Sequence, residues 1–127
     1  MGRKADNRFE TLHKEGSEFS YSGKRLVLRD KVTGVNYLCF NGHAVTPLID
    51  AYGKPLTNSS AGIQTGDRFL RVLHEGSEFS YEGKRSIIQD RLTGVCYLLI
   101  TAGYGTSVTP LVDADGKPVT MIANNED

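Results

Sequence analysis

The sequence predicts an all-β fold: two homologous antiparallel β units packed into one compact sandwich or barrel-like body. Three observations carry that expectation. The chain repeats itself: Arg8–Phe40 aligns without a gap on Arg68–Ile100 at an offset of 60, and Val45–Thr57 aligns on Val108–Thr120 at an offset of 63. Of those 46 aligned pairs 28 are identical, so one supersecondary unit is used twice. Runs of β-branched and aromatic residues alternate with Gly, Asp and Pro turn signals at short spacing. Finally, no long 3.6-residue apolar period is present, and 14 glycines in 127 residues disfavour a helical bundle.

Each unit opens with an apolar-bearing segment, RFETLH or RFLRVLH, in which Phe9 and Phe69 are the expected anchors. The block EGSEFSY follows at Glu15–Tyr21 and Glu75–Tyr81; its aromatics and the glycines at 23 and 83 read as hairpins. The next strands are KRLVLRD and KRSIIQD, with Val27 and Ile87 on one face and Leu28 and Ile88 on the other. Ser86 replaces Leu26, which predicts that this part of the face is less buried in the second unit. Asp30–Gly34 and Asp90–Gly94 read as tight connections: Asp accepts a bond from the backbone two residues on, and Gly supplies a positive φ. VNYLCF and VCYLLI are apolar on both faces and are the expected central strands. Val35, Tyr37 and Cys39 share one face of the first; Asn36, Leu38 and Phe40 share the other. In Thr46–Asp50 and Thr109–Asp113 a proline stands at what reads as a strand start, which favours a sheet edge. DAYGKP and DADGKP then turn about Gly53 and Gly116, giving four to five strands per unit.

The expected division is residues 1–57 for the first β repeat, 58–66 for a linker and 67–127 for the second repeat. The linker NSSAGIQTG spans about 30 Å when extended and has room for a short helical turn over 58–64. Neither unit is large enough to stand comfortably alone, so a shared core or a larger oligomer is expected. Residues 1–62 hold nine basic and six acidic residues, and residues 63–127 hold six basic and nine acidic. That asymmetry reads first as drift between duplicated surfaces; the alternative is that it helps the halves, or neighbouring chains, dock head to tail.

A net charge of zero argues against a charge-driven nucleic-acid binder, and nucleic acid is not an expected partner. No apolar run approaches the ~20 residues of a membrane span, and the N-terminal residues lack the apolar stretch of an export signal. A cytoplasmic, reducing location without membrane contact is therefore expected. Cys39 and Cys96 form no CxxC and fall on opposite faces of equivalent strands, so both read as small buried hydrophobes. His13 and His74 align with Leu73 and Lys14, so the histidines are not repeated; no metal and no cofactor is expected.

Two features suit an anionic ligand. Lys24 with Arg25, and Lys84 with Arg85, place basic pairs at equivalent positions after the hairpin turns. Otherwise they form solvated hairpin ends, partnered by Glu18, Glu78 or Glu82. The segment Thr101–Ser107 is three residues longer than its counterpart Asn41–Ala44, and its glycines let backbone N–H groups approach an anion. Tyr104, Thr106 and Ser107 are its candidate contacts, although the frame of a nucleotide phosphate loop is absent. Asp50 and Asp113 fit their turns as backbone acceptors better than they fit catalysis. With no GxSxG and no HExxH, no catalytic residue is assigned.

The motifs RFE, DKVTGVNYL at Asp30–Leu38 and TPLIDAYGKPL at Thr46–Leu56 resemble those of a small bacterial domain family of unknown function, present in bacteria and their mobile elements. The second copy offers DRLTGVCYL and TPLVDADGKPV, so the resemblance covers most of the chain as a tandem. It implies a small accessory or counter-defence protein of bacterial or phage origin and transfers no catalytic residues. The functional expectation is a non-catalytic interaction protein acting as a homo-oligomer or through a protein partner. The alternative is binding or sequestration of a small anionic ligand such as a nucleotide.

Overall fold

The computed structural model describes residues 7–17, 23–57, 66–102 and 105–121. They form eight strands: β1 (Phe9–Glu15), β2 (Arg25–Asp30), β3 (Asn36–Phe40), β4 (Ala44–Pro47), β5 (Phe69–Glu75), β6 (Lys84–Asp90), β7 (Cys96–Ala102) and β8 (Gly105–Pro110). Antiparallel pairing of consecutive strands gives two four-stranded sheets, in the orders β1-β2-β3-β4 and β5-β6-β7-β8. Each sheet is one repeat, and no described strand crosses into the other repeat's sheet. The sheets pack together, with β4 and β8 in contact, and neither closes on itself. The body is thus an open two-sheet assembly rather than a barrel. The expected helical turn over 58–64 lies outside the described residues. No helix of the described residues is long and apolar enough to cross a membrane.

The short connections follow from their residues. After β2, the Asp30 carboxylate accepts the Val32 N–H at 2.9 Å, and the Gly34 N–H returns to the Asp30 carbonyl at 2.7 Å. Gly34 sits at φ 84° and Gly94 at φ 86°, where a side chain is disfavoured. Past β4, Asp50 accepts the N–H groups of Tyr52 and Lys54, both at 2.9 Å, and Asp113 serves its own turn in the same way. β4 and β8 are edge strands, but Pro47 and Pro110 close them instead of opening them. Only single bridges follow, Ile49 to Pro55 and Val112 to Pro118, so the described residues of each repeat hold four strands.

The core lies between the sheets. Val27, Leu38, Phe40 and Leu48 of the first repeat pack with Phe69, Ile88, Tyr97 and Leu99 of the second. The two repeats contribute opposite faces. On β3 the buried side is Leu38 and Phe40; on β7 it is Tyr97 and Leu99, whose counterparts are Tyr37 and Cys39. The first repeat therefore turns its Leu38 face inward, and the second turns its Tyr97 face inward.

This corrects two expectations. Phe69 is an anchor at 2% exposure, whereas Phe9 is 55% exposed, because its face points away from the seam. Ser86 is buried and Leu26 is only half-buried, the reverse of the expectation from their hydropathy. The orientation of the sheet, not the residue at that position, decides which of the two is covered.

The Tyr97 hydroxyl crosses the seam and accepts the Ile49 N–H at 3.0 Å. Burial raises the pKa of that hydroxyl. Tyr97→Phe removes the acceptor from a backbone donor and is expected to cost about 1–3 kcal/mol in urea unfolding. The same change at Tyr37, on the outward face, is expected to stay within about 0.5 kcal/mol.

Candidate functional site

Register places Glu15, Arg25, Phe40 and Ala44 in one row across the first sheet, on the inward Leu38 face. Glu15 there is the polar joint of the molecule. Its carboxylate accepts Arg25 Nε at 2.9 Å, the Arg68 N–H at 2.7 Å and the Phe69 N–H at 3.0 Å, and meets His13 Nε2 at 2.6 Å. Arg25 donates onward to the Gly23 carbonyl at 2.7 Å and to Asp67 at 3.1 Å. Desolvation pushes the Glu15 carboxyl up, but the hydrogen bonds from His13, Phe69, Arg25 and Arg68 outweigh it and hold the pKa below the ordinary value.

Beside this joint, Arg68 forks onto Asp90 at 2.7 and 2.9 Å, with both side chains fully buried. The first repeat builds the same fork, Arg8 on Asp30 at 2.8 Å twice, but the Arg8 side chain is 49% exposed. Likewise Glu75 meets Arg85 at 3.1 Å, with side chains 61% and 30% exposed, against 5% and 3% for Glu15 and Arg25. Each polar device is made twice, once inside the seam and once outside.

The residues expected to bind an anion divide between two faces. Arg25 is buried in the joint, while Lys24 is half-buried beside it. Lys84, Thr101 and Thr106 form one row across β6, β7 and β8, with the two threonine hydroxyls 3.4 Å apart. Arg85, Ile100 and Ser107 form the next row on the opposite face. Much of the segment read as a loop is paired strand: β7 runs to Ala102 and β8 starts at Gly105, while Tyr104 lies outside the described residues. Arg85 does meet Glu82, at 3.4 Å. Phe79 and Tyr81 are exposed at the second hairpin tip, and Phe19 and Tyr21 lie outside the described residues. Cys39 and Cys96 are free thiols, and burial pushes the pKa of both up. No group of three His, Cys, Asp or Glu among the described residues is placed to hold a metal.

Arg8, Glu15, Asp30 and their counterparts carry no expected role in a charged joint, although all three are identical in both repeats beside strands where the apolar residues drift. That identity marks them in the sequence, but which copy lies in the seam depends on the orientation of each sheet.

The model of DUF6440, a family of unknown function, matches residues 8–58 and again residues 68–121. The chain belongs to DUF6440. No curated protein and no solved structure matches it. Both DUF6440 matches begin at the arginine of the fork, Arg8 and Arg68, and run past the DAYGKP or DADGKP turn. Each matched segment is therefore a complete four-stranded sheet carrying the whole polar device.

What the two DUF6440 repeats leave outside is the candidate site: the Tyr37 face of the first and the Leu98 face of the second. On the first, Phe9 and Val45 are exposed around the half-buried Leu28 and Tyr37. On the second, Leu70 and Val72 are exposed around the half-buried Ile87 and Leu98. Both outward faces thus leave large apolar side chains exposed.

Proposed function

We propose that the protein is a non-catalytic interaction module that works through these two outward sheet faces, by self-association or on a protein partner. One observation carries the reading. Apolar residues packed on the core in one repeat are exposed at the equivalent position of the other: buried Phe69 against Phe9, and half-buried Val108 against Val45. The outward faces thus have the composition of surfaces that this fold buries elsewhere. The motif resemblance supports an accessory role in a bacterial or phage setting. The free thiols suit a reducing cytoplasm.

Sedimentation velocity over a concentration series tests the reading. The expected result is a mass above the 13.9 kDa of one chain, rising with concentration. A single-chain mass throughout counts against self-association. A nucleotide thermal-shift screen is expected to leave the melting temperature unchanged, because the basic pairs point to different faces.

A further inference from the structure

The seam inside the molecule joins unlike faces, and the unused faces are the counterparts of the two that make it. The Leu38 face of the first repeat sits on the Tyr97 face of the second. Left over are the Leu98 face, equivalent to the Leu38 face, and the Tyr37 face, equivalent to the Tyr97 face. A heterologous contact of this kind does not use itself up by forming once; it repeats until a ring closes or the stack runs open.

Resting on the interaction reading above, we propose that the partner is a second copy of this chain, stacked head to tail. The Leu98 face of one copy sits on the Tyr37 face of the next and reproduces the internal seam. The carboxylate, the two backbone donors and the tyrosine of that seam have counterparts in place. Glu75, already paired with Arg85, takes the role of Glu15, and the N–H groups of Arg8 and Phe9 take the roles of those of Arg68 and Phe69. Arg8 is already forked onto Asp30 and lies 5.7 Å over the Phe9 ring, as Arg68 lies 5.2 Å over Phe69. The Tyr37 hydroxyl then accepts the Val112 N–H, as Tyr97 accepts that of Ile49. The charge asymmetry has the right sense, because each contact brings a basic first half against an acidic second half.

The intermolecular contact is the weaker of the two. Leu73 replaces His13, so Glu75 lacks an imidazole partner, and Asn7 stands where Asp67 meets Arg25. Association is therefore reversible and dependent on concentration, while the internal seam stays closed.

Two exposed positions separate the faces: Phe9 on the Tyr37 face and Leu70 on the Leu98 face. Phe9→Asp and Leu70→Lys are each expected to sediment as single chains, because each has one blocked end. Mixed in equal amounts, they are expected to form a dimer that grows no further, since only one intact end of each kind remains. Glu75→Lys, at another exposed position on the Leu98 face, is expected to behave as Leu70→Lys does. Circular dichroism melts confirm that each variant is folded. If either folded single variant still dimerises alone, head-to-tail stacking is overturned and self-association through a like-on-like contact stands. If folded wild type is a single chain at every concentration, both the stacking and the self-association reading fail.

Discussion

Phe69→Ala is expected to cost about 3–5 kcal/mol of folding stability, and Phe9→Ala less than about 1 kcal/mol, although the two residues are equivalent in the repeats. Phe69 is 2% exposed and belongs to the core cluster; Phe9 is 55% exposed on the outward face. Removing the first ring opens a cavity between two sheets that relax only in part. Removing the second trims a surface already in contact with water. Urea unfolding at low protein concentration measures both. Equal costs would mean that the two repeats bury the same face rather than opposite ones.

Glu15→Ala is expected to cost a further large amount, about 3–5 kcal/mol, because it strips a buried carboxylate from a buried guanidinium and two backbone donors. Glu75→Ala breaks the equivalent pair in solvent and is expected to cost about 0–1 kcal/mol. The acid limb separates the two further. The Glu15 pKa lies below its ordinary value of 4.5. Its contribution is therefore complete above that ordinary value and is lost as pH falls through the lower, folded one. Wild-type stability is expected to drop below about pH 4, and Glu15→Ala to show a shallower drop over the same range. A parallel descent of the two proteins would remove Glu15 from the joint.

Much of the fold was legible because local rules decided it. The Asp-x-x-Thr-Gly connection, the turn served by Asp50 and the central position of VNYLCF each depend on residues close in sequence. The two repeats were legible for the same reason. Their relative orientation was not, since both faces of β3 and β7 are apolar and alternation alone does not choose between them. Ser86 shows the difficulty: its polarity argued for the outside, and the seam placed it inside. The candidate anion-binding residues are neighbours in sequence, but adjacent strand residues point to opposite faces, which separates Lys84 from Arg85. The polar joint needed contacts such as Glu15 to Arg68, 53 residues apart, that no local pattern encodes.

Because the joint is made of a plug and a socket rather than two like surfaces, every single unit carries one of each. A lone unit would meet a complement in every neighbour, and its polymerisation would need no two-fold axis. Tethering two units makes one joint unimolecular, at an effective concentration of about millimolar for a short connection. On the proposed head-to-tail stacking the other joint is left to the abundance of the protein, so expression level would control how many molecules stand in line.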